Sequence, residues 1–353
     1  MRARRAGFAA GGILLAGLPW LLGAQDTVTL SKAGAAALQR GDYRAALGWF
    51  RKAAARAPGD KTVQFNLGLT LFRMSRFQEA LVPLRAASAD PSLASEARYL
   101  EGVALFYLGR LNEAVKSLEA LRGHEKFGEN VLYLLTESYR LLRRAPEAQQ
   151  AFSELAARYP ASPFLHKLVG MAYEAQQQYR EAKEEFLAAL RANPSMPEIH
   201  FAIGFLHLKQ HQLDEARPWF EKELAIQPCY APALYGLGEV ERRSQQRDRA
   251  ADYYRRALRC DRDFTDAYLG LGIVLEEEGR AAEAIGMYRE VLRRNPDKAG
   301  ARYRLARLLS QTGRVEEARR QFDKVKQAQA AKVEQAMETL RLRESASQAI
   351  SPK

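Results

Sequence analysis

Residues 179–194 read YREAKEEFLAALRANP. Ala182, Phe186 and Ala189 fall on one face at helical spacing, Arg180, Glu181, Lys183 and Glu184 face away, and Pro194 ends the pattern. A helix of this length is marginal by itself in water, so its apolar stripe needs neighbours. The chain supplies them by repetition. Ala46, Ala80, Ala114, Ala148, Ala182, Ala216, Ala250, Ala284 and Ala318 are each 34 residues apart, with no gap or insertion. Four residues after each lies a ring or Leu: Phe50, Leu84, Leu118, Phe152, Phe186, Phe220, Tyr254, Tyr288 and Phe322. Twelve residues before each lies a small residue: Gly34, Gly68, Gly102, Thr136, Gly170, Gly204, Gly238, Gly272 and Ala306. Pro closes the period at Pro58, Pro160, Pro194, Pro228 and Pro296, and one place early at Pro91.

Each residue type has a physical job. Small residues on two helices let them approach closely, and the ring fills the space between one helix pair and the next. Pro ends one helix and starts another. Seven periods place Glu just before the Ala (Glu79, Glu113, Glu147, Glu181, Glu215, Glu283 and Glu317), near a helix start, where the dipole favours a negative charge.

This pattern resembles the tetratricopeptide repeat family over residues 27–330, as nine tandem repeats. The resemblance implies an all-α chain, an α-solenoid whose antiparallel helix pairs wind into a right-handed superhelix. In it, the first helix of each pair (A) lines the concave side and the second (B) the convex side. Each pair's stripe is buried only by its neighbours. Two departures are visible. Glu101 stands where the family has an apolar residue, and the seventh repeat ends RCDRDF without Pro; neither breaks register. Beyond Ala330 the pattern stops, but Val333, Ala336, Met337 and Leu340 recur at helical spacing, so residues 331–353 read as a terminal capping helix with a frayed tail.

Composition agrees with helix. Of 353 residues 47% are hydrophobic and 27% charged, and Val, Ile and Thr are sparse. The formal net charge of +12 includes Arg2, Arg4 and Arg5; without them 51 basic residues face 42 acidic ones. That excess is interspersed with acids over helix surfaces, so the sequence does not point to nucleic acid as a partner. Residues 1–24 have a basic start, an apolar run from about Phe8 to Leu22 and a small-residue exit at Gly23-Ala24. This is the layout of a secretory signal peptide cut between Ala24 and Gln25, which places the mature chain in the periplasm or outside the cell. The alternative is an uncleaved anchor, for which the run is short. No second apolar span follows, so no transmembrane segment is expected after signal removal.

No phosphate loop, nucleophile elbow or paired metal-ligand motif is present, and the repeats leave no room for a catalytic domain. The sequence therefore reads as non-enzymatic, with no cofactor and no metal. His200, His207 and His211 lie on one side of a helix at spacings that can bind Zn or Cu, but two of them occupy packing positions of the repeat. Cys229 and Cys260 bracket one helix pair, where antiparallel geometry brings the two ends together; a disulfide and two free thiols are both open.

The resemblance places a partner on the A helices. Positions that do not pack within their own pair are Phe65, Leu69 and Phe72; Tyr99, Val103 and Phe106; Tyr133, Glu137 and Arg140; Phe201, Phe205 and Leu208; and Tyr235, Glu239 and Arg242. So many exposed rings would mark an interaction surface. Some family members grip acidic C-terminal tails with a clamp of Lys and Asn. Here Asn66 matches, but Ser31, Ala35, Glu96 and Leu100 hold the other places. An apolar or aromatic-anchored peptide, with an acidic flank meeting Arg140 or Arg242, fits better. The expectation is a protein–protein interaction scaffold of the cell envelope. The alternatives are a module that handles polysaccharide or peptidoglycan and a regulatory subunit of an envelope enzyme complex. The partner's identity and the oligomeric state are not readable from the residues.

Overall fold

The computed structural model describes residues 18–350; the first 17 residues of the expected signal segment and the last three of the tail lie outside it. The described residues form eighteen helices and no strand, and the chain divides into two units between Leu165 and His166. The first unit holds α1 (Leu18–Gln39), α2 (Tyr43–Arg56), α3 (Lys61–Arg73), α4 (Phe77–Ala87), α5 (Ala94–Tyr107), α6 (Leu111–Glu119), α7 (Gly128–Leu141) and α8 (Ala145–Arg158). The division falls within α9 (Pro163–Ala175). The second unit continues with α10 (Tyr179–Ala192), α11 (Ile199–Lys209), α12 (Leu213–Ile226), α13 (Ala231–Arg243), α14 (Arg247–Cys260), α15 (Thr265–Glu277), α16 (Ala281–Arg294), α17 (Ala299–Gln311) and α18 (Val315–Ile350). Within each unit successive helices pack on one another, and short turns make neighbours antiparallel. The A helices α1, α3, α5 and α7 also touch in series, as do α11, α13 and α15. This is the α-solenoid arrangement.

The turns explain why the period is strict. Every B helix starts 34 residues after the last, at Tyr43, Phe77, Leu111, Ala145, Tyr179, Leu213, Arg247, Ala281 and Val315. Two residues ahead of each start the backbone turns left-handed: Gly41, Ser75, Gly109, Arg143, Gln177, His211, Gln245, Gly279 and Gly313 all have φ between 56° and 76°. The next N–H donates to the carbonyl five residues back, as from Arg76 to Leu71 and from Gln246 to Glu241, at 2.9 and 2.8 Å. This Schellman-type cap stops the A helix and aims the chain back along it.

The core is built from the residues the period marks. Ala46, Ala80, Ala114, Ala182, Ala216, Ala250 and Ala284 are fully buried, as are Phe50, Leu84, Leu118, Phe186, Phe220, Tyr254 and Tyr288. A methyl group on Gly170 would sit 2.6 Å from Phe186, and one on Gly238 2.4 Å from Tyr254, so the small residue is a seat for the ring. The last ring, Phe322, is 37% exposed because no further pair covers it.

The Glu residues ahead of the core Ala do more than meet the dipole. Arg76, Arg110 and Arg280, each just before a B helix, chelate the Glu three residues on (Glu79, Glu113, Glu283) through both Nε and Nη2. Arg51 and Arg85 reach Glu79 and Glu113 from the preceding B helix, at 3.2 Å each. These arginines hold the carboxyls of Glu79 and Glu113 below the ordinary range. Three middle B helices have Gln178, Gln212 and Gln246 in place of the Arg.

Buried Glu101 is accommodated because Arg85 donates to it at 2.6 Å. Helix α18 runs unbroken from Val315 to Ile350, so the terminal segment continues the last B helix, with Val333 and Met337 64% and 50% exposed. Helix α1 passes without a break through the expected junction at Ala24–Gln25. No helix among the described residues is long and apolar enough to cross a membrane.

Candidate functional site

In the first unit the A-helix rings are half-buried and paired. Tyr99 of α5 stacks on Phe127, the residue before α7, with centroids 4.5 Å apart, and accepts a hydrogen bond from Asn130 Nδ2 at 3.1 Å. Burial pushes the Tyr99 phenol up. Tyr133 of α7 stacks on Phe164 at 4.9 Å. Phe65 and Leu69 of α3 are half-buried, whereas Val103 belongs to the core shared by α4, α5 and α7 and is no surface position. At the turn edge Phe72 meets Phe77 edge-on at 5.4 Å, Phe77 stacks on Tyr107 at 5.2 Å, and Phe106 meets Tyr107 edge-on at 5.8 Å. Tyr107 is 62% exposed, so this cluster offers a ring face to solvent.

In the second unit Phe201 and Phe205 of α11 lie 5.7 Å apart, and Tyr230, just before α13, closes on Phe201 at 5.6 Å. The fully buried Glu223 carboxylate accepts from the N–H groups of Glu198 and Phe201, at 2.9 and 3.2 Å, and so fixes the start of the helix that carries the two rings. Leu208, expected on the surface row, is 2% exposed and packs with Phe220 and Leu237. Tyr235 of α13 is half-buried against Tyr254 and Phe264, and burial, with Glu239 nearby, pushes its phenol up.

The two arginines expected to await an acidic partner already have one. Arg140 donates to Glu137 at 2.8 and 2.9 Å, and Arg242 to Glu239 at 2.8 and 3.2 Å. Both glutamates are buried and lie three residues earlier on the same helix, so each pair neutralises its own charge. Burial alone would raise the Glu239 carboxyl; hydrogen bonds from Arg242 and Tyr254 reverse this and leave it below the ordinary range.

The histidines do not converge. His207 Nδ1 is 2.7 Å from Gln212 Oε1, and His200 lies against Trp219 with its pKa lowered, chiefly by burial. Among the described residues no group of three His, Cys, Asp or Glu is placed to hold a metal ion. Cys229 and Cys260 form a disulfide that ties the start of α13 to the end of α14. The rings that cover the row (Phe127, Phe164, Tyr230 and Phe264) escaped the sequence reading, although each stands 28–31 residues after the ring it covers.

One tetratricopeptide repeat model matches residues 99–163, 170–231 and 235–292, and a second matches 275–340. The chain belongs to the tetratricopeptide repeat family. A model described as anaphase-promoting complex, cyclosome, subunit 3 matches residues 39–121. Among solved structures, a tetratricopeptide repeat protein from Parabacteroides merdae is 17% identical, with 71% of this chain and 99% of that one aligned at a TM-score of 0.55. MamA is 22% identical over 47% of this chain and 97% of that one, at a TM-score of 0.41. YrrB, described as a TPR protein with an unusual peptide-binding site, is 22% identical over 51% and 92%, at a TM-score of 0.38. No curated protein matches. These likenesses concern the fold; tetratricopeptide repeats serve as protein-interaction scaffolds.

Proposed function

We propose that this tetratricopeptide repeat protein is a non-enzymatic scaffold of the cell envelope whose A-helix face grips a segment of a protein partner. The observation that carries the reading is the turn-edge cluster of Phe72, Phe77, Phe106 and Tyr107, half-buried at its base and solvent-facing at Tyr107. Rings already positioned by their neighbours lose little side-chain freedom when a partner covers them. The basic and apolar start of the chain supports export to the periplasm or beyond, and the Cys229–Cys260 bond suits an oxidising compartment.

The test is capture from envelope extract by the wild-type protein and by Tyr107→Ala. Truncating an anchor ring commonly costs about 2 kcal/mol, or about thirtyfold in affinity. The expected outcome is a stoichiometric protein partner that the variant loses without a change in thermal unfolding, because Tyr107 is largely outside the core. Recovery of glycan with no protein would favour the polysaccharide-handling reading instead.

A further inference from the structure

Arg247 opens α14 at a position where every other B helix opens on an apolar residue. It also puts a cation at a helix N-terminus, where the dipole disfavours one. Its surroundings explain the exception. Arg242 and Arg243 from the end of α13, Arg247, Glu277 from the end of α15, and His211 and Leu213 from the preceding turn line a cleft of about 720 Å³. Five periods earlier the corresponding positions hold Phe72, Phe77 and Tyr107, the stacked rings described above. Two register positions thus carry rings in the first unit and guanidinium groups in the second, and a third exchanges Tyr107 for Glu277.

The cations are held from behind. Glu239 fixes Arg242, and Arg243 Nη1 donates to the Leu208 carbonyl at 2.9 Å. Only one carboxylate, Glu277, stands on the wall, and its contacts are long: 3.4 Å to Arg247 Nε and 3.9 Å to Arg242 Nη1. The three guanidinium groups thus face two carboxylates, buried Glu239, which Arg242 chelates and Arg243 approaches at 3.7 Å, and Glu277 with its long contacts, so one net positive charge is left for an added anion. The planar fork of Arg matches carboxylates, two N–H groups to two oxygens.

We propose that this cleft binds carboxylates of an acidic polypeptide segment. The proposal rests on the scaffold reading for its choice of a polypeptide, since Arg242 shares α13 with Tyr235 of the A-helix row.

Binding of a fluorescent Glu-rich peptide, with its Gln counterpart as control, tests the cleft at about 0.15 M salt, where distant charges are screened. The wild-type protein should bind the Glu peptide and not the Gln peptide. Arg247→Gln should weaken binding about threefold, and Arg243→Gln with Arg247→Gln about tenfold, as expected for partly exposed ion pairs. Arg242 is left intact because its loss would strand buried Glu239. Arg180→Gln with Arg191→Gln removes the same charge elsewhere in the second unit and should change nothing. Equal weakening by that pair would reduce the effect to general surface charge and overturn the proposal. So would wild-type affinity in the Arg243/Arg247 double variant, or displacement of the peptide by inorganic phosphate that binds more tightly at the same arginines. The peptide readout needs no native partner, so its failure is separate from a failure of Tyr107→Ala to affect capture.

Discussion

The hydroxyl of Tyr254 donates to Glu239 Oε1 over 2.6 Å, joining the ring that fills one helix pair to the buried carboxylate beneath Arg242. The Glu239 carboxyl lies below its ordinary value in the folded chain, so its ionisation contributes stability that is present above about pH 4.5 and is lost as pH falls through the folded value. Thermal unfolding of the wild-type protein should therefore drop more steeply between about pH 5 and 3 than that of Glu239→Gln. At neutral pH Tyr254→Phe should cost about 1 kcal/mol, because Glu239 loses a buried donor. Parallel acid profiles for wild type and Glu239→Gln would contradict this.

Two glycine substitutions should move stability in opposite directions. A methyl group on Gly238 would meet the fully buried Tyr254 ring at 2.4 Å, so Gly238→Ala should destabilise by about 1–3 kcal/mol. Gly286, inside α16, has nothing within 4 Å of an added methyl, so Gly286→Ala should stabilise by about 0.5–1 kcal/mol through helix propensity. Chemical denaturation of both variants checks the pair.

Removing the disulfide should loosen one helix pair. Cys229 and Cys260 close a loop with a sequence separation of 31, and Cys229→Ser with Cys260→Ser should cost about 2–4 kcal/mol. Hydrogen exchange should show the gain in opening concentrated in α13 and α14, since stability in stacked repeats is carried by neighbouring contacts.

The fold was legible because its signals are local and periodic. Gly238 and Tyr254 lie 16 positions apart, and the same spacing recurs along the chain, so seat and ring announce the pairing directly. The site was legible only in part. Val103 and Leu208 are as apolar as surface anchors would be, and only packing between successive A helices shows that they are core. The pairing of Arg140 with Glu137 follows from a three-residue spacing and could have been read. Among the covering rings, Tyr230 and Phe264 stand one 34-residue period apart and could have been read, whereas Phe127 and Phe164 stand one and two residues off that register because the starts of their helices shift. The arginine cleft draws on the ends of three different helices, and nothing in one repeat reveals it.

The cross-link between Cys229 and Cys260 also sets how far the chain can lengthen under tension. Residues between the two sulfurs cannot join an extending strand, and a sequence separation of 31 at about 3.4 Å per residue withholds about 100 Å of contour. Pulled from its ends, the oxidised second unit would unravel in a shorter stroke than the reduced one, with α13 and α14 spooled inside a closed loop.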